Sequence, residues 1–147
     1  LRLSVVYGVF LKRRANLAMT ANEGKITLSE LVYSLRESAD ALTFYGVYSS
    51  VFAVGDGEFP AERIEFIYEF FEDCIEFALP NLTACLVRLS EKDGALSCRI
   101  ALDNVKNAIP EGWRNKECER LGATLKTEEN DETLYATLTF SDKGVQK

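Results

Sequence analysis

The sequence predicts an α+β domain: a two-layer α/β sandwich in which a mostly antiparallel sheet carries helices on one face, preceded by a helix of dimerisation type. Three observations carry this reading. Residues 60–80 show a strong amphipathic helical repeat, two pairs of strand-like runs follow around turn residues, and two further helical stripes come first. Helix, helix, strand, helix, hairpin, connection, hairpin is an order in which helices and paired strands segregate into layers.

In the central stretch, Ile64, Ile67, Tyr68, Phe71, Cys74, Ile75 and Ala78 recur at helical spacing, opposite Glu62, Glu65, Glu69, Glu72 and Glu76. One face is dry and the other acidic. Phe66, Phe70 and Phe77 add a second apolar row, wider than contact with one sheet requires, so another helix or a partner is expected to cover it. Pro60 opens this helix where a missing N–H costs nothing, and Pro80 closes it.

Upstream, Leu3, Val6, Tyr7, Phe10, Arg14, Leu17 and Ala18 share a face, so residues 1–21 read as a helix stopping at Asn22-Glu23-Gly24, weakened by Gly8. It has no sheet to cover. The stripe is therefore expected to pair with itself in a second subunit, with Val6, Phe10 and Leu17 in the seam. In the next helix, Thr27 and Glu30 form a capping box and Ile26 and Leu31 a hydrophobic staple. Leu28, Leu31, Val32, Leu35, Ala39 and Leu42 carry its stripe, and Gly46 stops it.

Residues 47–54 are β-branched and aromatic, and Gly55-Asp56-Gly57 ends them as a strand. Residues 83–90 and 95–102 form a hairpin around Glu91-Lys92-Asp93-Gly94. Residues 103–120 are a polar connection with room for one short helix, and 121–127 pairs with 133–140 in a second hairpin. The tail from Ser141 is expected to fray.

With 147 residues, 47% hydrophobic, the chain can bury one sizeable core. It begins at Leu, so we expect a piece of a longer protein. A net charge of −6 argues against a nucleic-acid surface. The single basic run, Lys12-Arg13-Arg14, reads as a solvated helix flank, with membrane contact only through an upstream segment. Cys74, Cys85, Cys98 and Cys118 stand singly, as reduced thiols of a cytoplasmic protein do. Histidine is absent, which removes Ser-His and Cys-His nucleophiles, His-ligated metals and any phosphoacceptor His on this piece.

This order of elements resembles the histidine-kinase-type ATPase domain, in which a helix carries magnesium-binding residues and a hairpin leads into a nucleotide-binding loop. The resemblance covers residues 26–141. It divides the chain into the end of a helical dimerisation segment, 1–25, and an ATPase-type domain, 26–147. In the family's Asn box an acidic or Asn residue precedes a second Asn by four positions. Glu72 and Glu76 in FEDCIEFAL stand there, or Asp73 and Phe77 if the register moves by one. A carboxylate at the second position is chemically able to hold magnesium. The first glycine box, Asp-x-Gly-x-Gly, reads Asp103-Asn104-Val105-Lys106-Asn107: the adenine-binding Asp is kept and both glycines are lost. The lid region is short, with only Gly112, and Gly122 in LGATL resembles the Gly-Gly turn that follows the lid.

The resemblance thus implies ATP and Mg2+ as cofactors, with Asp103, Asn104 and Gly122 on the nucleotide and Glu72 and Glu76 on the metal, and no catalytic residue on this piece. A site that holds neither cofactor is an equal reading. Taken singly, Asp103 ends a strand, Glu72 and Glu76 are solvated, and Gly122 shapes a turn; their shared order carries the family reading. Three functions follow. One is the signalling region of a bacterial sensor histidine kinase-like protein, its degenerate ATPase domain acting as a regulatory or dimerising module with a signalling-protein partner. Another is a divergent working kinase domain that phosphorylates a His elsewhere. The third is an unrelated α+β interaction domain.

Overall fold

The structure, a computed structural model, describes residues 2–79, 81–106 and 108–141. The roles read for Leu1, the side chain of Leu3, Pro80, Asn107 and the tail after Ser141 lie outside the described residues.

Among the described residues four helices and seven strands follow one another: α1 (Arg2–Met19), β1 (Lys25–Thr27), α2 (Leu28–Tyr45), β2 (Tyr48–Val54), β3 (Glu58–Pro60), α3 (Ala61–Ala78), β4 (Ala84–Lys92), β5 (Ala95–Asp103), α4 (Asn115–Leu121), β6 (Ala123–Asn130) and β7 (Thr133–Phe140). The main sheet has the order β2-β4-β5-β7-β6. Only the β2–β4 pair is parallel; β4–β5, β5–β7 and β6–β7 are antiparallel. The mostly antiparallel sandwich read from the sequence is the fold observed.

Alternation along the strands decides the core. Val87 and Leu89 of β4, Cys98 and Ile100 of β5, and Ala136 and Leu138 of β7 are buried together with Leu31, Leu35 and Leu42 of α2 and Ile64, Ile67 and Phe71 of α3. Each such side chain removed from water stabilises the fold by roughly 1.5–3 kcal/mol. All four cysteines are free and buried within the same layers.

The local signals at α2 act as read. Thr27 Oγ1 accepts from the Glu30 amide at 3.1 Å, Ile26 and Leu31 are buried as a staple, and Gly46 ends the helix at φ 122°. The first hairpin turns on Asp93 and Gly94, both at positive φ. Gly55 is required where it stands: at φ 102° a Cβ would lie 2.7 Å from the Glu91 carbonyl oxygen.

Several expectations are corrected. Val6, Phe10 and Leu17 do not form a seam with a second copy; they are about as buried as any core residue, between 1% and 2% exposed, against α2 and α3. The first helix therefore has its own cover. Pro60 ends β3 and caps α3 rather than entering it, and the Ala61 amide donates to the Gly24 carbonyl at 2.8 Å. Leu121 belongs to α4, not to a strand, because Cys118 and Leu121 bury one side of that helix. β6 then runs on to Asn130, and the turn tightens to Asp131-Glu132. The short pair β1–β3 carries no sequence signal.

A buried polar node ties three helices. Ser38 of α2 donates to the Ser34 carbonyl at 2.9 Å and accepts from the Tyr68 hydroxyl of α3 at 2.6 Å, and the same Tyr68 hydroxyl lies 3.4 Å from the Phe10 carbonyl of α1. At the sheet margin, α2 side chains close the outer edge of β2: Arg36 Nη2 donates to the Val51 carbonyl at 3.3 Å, and the Ser49 amide donates to Thr43 Oγ1 at 3.0 Å.

Phe10→Ala is expected to cost about 3–5 kcal/mol in urea denaturation, since it empties a packed site against Phe71. The size of this loss should be the same at every protein concentration; a loss that appears only at concentrations where the parent self-associates would mean that the stripe is an intersubunit seam after all.

Candidate functional site

The acidic side of α3 is where the candidate metal carboxylates stand, and much of it is not left to solvent. The connection after β5 folds back onto it. Trp113, buried, lies over Phe66 and Phe70 with ring centroids 5.3 and 5.4 Å apart, so that part of the apolar row is covered by a side chain of the connection rather than by the further helix or partner expected. Phe77, the third member of the row, stays exposed.

Trp113 Nε1 donates to Asp73 Oδ2 at 2.8 Å. Arg114 follows it with Nε donating to Asp73 Oδ2 at 3.0 Å and Nη1 donating to Glu69 at 2.7 Å and Glu117 at 3.3 Å. Its backbone is left-handed, φ 43° and ψ 41°, a conformation that costs a non-glycine residue on the order of 1 kcal/mol. Three carboxylates around one guanidinium offset that cost. Sequence reasoning passed over this pair because its partners lie 40 or more residues away; the lone Trp beside an Arg in a polar stretch was the available signal.

One turn along, Glu72 meets α1. Arg14 Nη1 donates to Glu72 Oε1 at 3.2 Å, with the Glu72 side chain 15% exposed. Burial raises the Glu72 carboxyl, Arg14 pulls it down and Glu69 and Asp73 push it up, to about 7. Burial and the neighbouring Glu69 and Glu62 likewise raise Glu65. Glu76 is exposed, and after burial its charge is the next cause raising the phenol of Tyr7 on α1. Among the described residues no group of three or more Cys, Asp or Glu side chains is arranged to hold a metal ion.

The other candidates lie at the far end of β5. Asp103 is exposed, and its Oδ1 accepts from Thr133 Oγ1 at 2.8 Å. Asn104 is left-handed at φ 68°; its amide donates to the Glu132 carbonyl at 2.7 Å and its Nδ2 to the Asn81 carbonyl at 2.9 Å. Asp103 and Asn104 line an open cavity of about 750 Å3 with Thr83, Asp131, Glu132 and Thr133, and no residue of α3 lines it. Gly122 is elsewhere again, the left-handed cap of α4 at φ 73°, its carbonyl accepting from the Ser141 amide. The structure brings Asp103 and Asn104 together at one cavity; Glu72 and Glu76 stand a turn apart on α3 and Gly122 caps α4, and none of these three lines that cavity.

No family model matches the chain, and no curated protein matches it. Solved structures do. A structure described as a bacterial phosphotransferase aligns at TM-score 0.68 and 11% identity, over 92% of this chain and 74% of that one. The histidine kinase domain of the blue-light-activated histidine kinase from Erythrobacter litoralis aligns at TM-score 0.59 and 15% identity, over 94% and 82%. The histidine kinase ThkA, in complex with the response regulator TrrA, aligns at TM-score 0.56 and 14% identity, over 99% of this chain and 49% of that one. The chain has the fold of the histidine-kinase-type ATPase domain. At these identities the likeness is one of backbone architecture, and it leaves the chemistry to the residues.

Because the folded-state pKa of Glu72 is raised, the native state binds its proton more tightly than the unfolded chain does, and stability falls as pH rises from about 4.5 to about 7. Glu72→Gln is expected to melt higher than the parent at pH 8, by on the order of 1 kcal/mol after solvent screening, with the gap closing toward pH 5. Equal melting at both pH values would show that Glu72 titrates normally.

Proposed function

We propose that this chain is a module of two-component-type signalling, a bacterial sensor histidine kinase-like ATPase domain that binds nucleotide weakly or not at all and acts as a regulatory and dimerising scaffold. The observation that carries this reading is the engagement of α3 by the chain's own donors: Arg114 holds Asp73 and Glu69, the Trp113 indole also donates to Asp73, and Arg14 holds Glu72. A magnesium–nucleotide group fits these residues poorly. Glu72 is already paired with Arg14, and the stretch after Asp103 lacks the glycines that admit a phosphate to the backbone.

Residues 1–25 are, on this reading, the end of a helical dimerisation segment in a cytoplasmic protein. A homodimer through α1 would use the outward side chains Val5 and Leu11, because the inward stripe is already covered. No helix of the described residues is long and apolar enough to cross a membrane. A signalling partner is supported by the fold shared with ThkA, whose structure includes a response regulator.

One observation favours a second reading, a divergent but working ATP-binding kinase domain. Asp103 and Asn104 line an open cavity, so an adenine amino group would have access to them.

Calorimetric titration with Mg-ADP and with a non-hydrolysable ATP analogue separates the two. The scaffold reading predicts no heat and a melting temperature unmoved by millimolar Mg-ATP, since a ligand specific for the folded state must raise stability. Micromolar binding that Asp103→Ala removes would establish the second reading.

A further inference from the structure

The helices cover only one face of the sheet, and the other face is built from the alternate residues of each strand. In register across it stand Phe52, Arg88, Arg99 and Thr137, and in the adjacent row Ser50, Leu86, Ala101 and Tyr135. Tyr48, Phe52 and Val54 of β2 are all more than half exposed. Leu86, Arg88, Arg99, Ala101 and Tyr135 line a shallow groove of about 300 Å3, with an apolar floor and two guanidinium groups beside it. That is an amphipathic surface.

The two arginines are direct cross-strand partners, an arrangement of like charges that disfavours the sheet. Arg99 rests on the Tyr135 ring, 4.5 Å from its centroid, and Arg88 has no hydrogen bond, ion pair or ring contact among the described residues. The chain has net charge −6 and supplies carboxylates to Arg14, Arg114 and Arg120. Across all five strands the open face carries two acidic residues, Asp103, at the margin and held by Thr133, and Glu128 of β6, opposite Tyr135 and balanced by Lys126 on the same strand; neither is paired with Arg88 or Arg99. An acidic protein thus keeps an unneutralised basic pair inside its apolar sheet face.

We propose that this face docks an acidic amphipathic helix of a partner protein, with a pair of carboxylates on Arg88 and Arg99 and aliphatic side chains against Phe52, Leu86 and Tyr135. The spacing fits: directly opposed residues of an antiparallel pair lie roughly 4.5–5.5 Å apart, and helical residues one turn apart roughly 5–6 Å. Arginine offers a planar fork that takes a carboxylate by two hydrogen bonds. A second copy of this chain is a poorer occupant. Face-to-face pairing would oppose four arginines, and the Glu69, Glu72 and Asp73 carboxylates of α3 already hold guanidinium groups. The docking reading does not depend on whether nucleotide binds.

The test is fluorescence anisotropy of a labelled helical peptide of Glu, Leu and Ala, with Glu pairs one turn apart on one side, titrated with the full chain. Saturable binding is expected, weakening with added salt as screening predicts and falling about tenfold or more in Arg88→Thr/Arg99→Thr. Lys116→Glu, an exposed charge on α4, should leave it unchanged. The double variant relieves the like-charge pair, so it should melt no lower than the parent and lost binding cannot be assigned to unfolding. The proposal is overturned by no binding at millimolar peptide, by equal binding of the peptide with Lys in place of Glu, or by undiminished binding of the double variant. Arginine-dependent self-association in light scattering, or arginine-dependent binding to anionic vesicles without peptide binding, would overturn it as well.

Discussion

Glu62, Glu65, Glu69, Glu72, Asp73 and Glu76 crowd one side of a helix whose opposite side is the driest surface in the molecule. Carboxylates a turn apart repel one another, and half-burial removes the water that would screen them. The chain answers with arginines from three separate places, Arg14 of α1, Arg114 of the connection and Arg120 of α4. Each brings its own segment onto α3. The exposed Arg120–Glu62 pair is worth little, whereas the Arg114 cluster is partly shielded and backed by the Trp113 indole over two phenylalanines. In α1 and in the β5–α4 connection the apolar contacts of Phe10 and Trp113 and the arginine pairs beside them bring the same segments onto α3.

Helices α2 and α3 were legible in the sequence because their apolar residues repeat at short range and their ends carry Thr27 and Gly46. The β4–β5 hairpin was plain because Asp93-Gly94 accepts positive φ. The stripe of α1 was read correctly as a dry face and wrongly as a dimer seam. Amphipathicity states that a face must be covered; it does not state by what, and here Phe71 and the Tyr68 hydroxyl of the same chain do it. Strands β1 and β3 are three residues each, too short for alternation to register. The candidate site was legible only as single residues. Glu72 and Asp73 are paired with arginines 58 and 41 positions away, and no local pattern announces such a pairing.

The likeness to histidine kinase structures, at 11–15% identity, is carried by strand order and helix placement. Backbone architecture of this kind tolerates replacement of nearly every side chain, provided volume and polarity patterns persist. Function has no such tolerance. Carboxylates at Glu72 and Glu76 and a described stretch after Asp103 without glycine set what α3 and the β5 end can hold, while the core behind them stays fully packed.

The side chains of Arg36 and Thr43 along β2 carry a consequence for the company this protein keeps. An open sheet margin is a template on which another extended chain can crystallise one backbone hydrogen bond at a time, whether a client strand or the first layer of a fibril. With the Ser49 amide and the Val51 carbonyl already satisfied from α2, that margin offers an incoming strand a broken ladder. Visitors to this end of the molecule must come as folded shapes meeting its broad face. Growth by strand addition is discouraged at the margin where aromatic residues are most exposed.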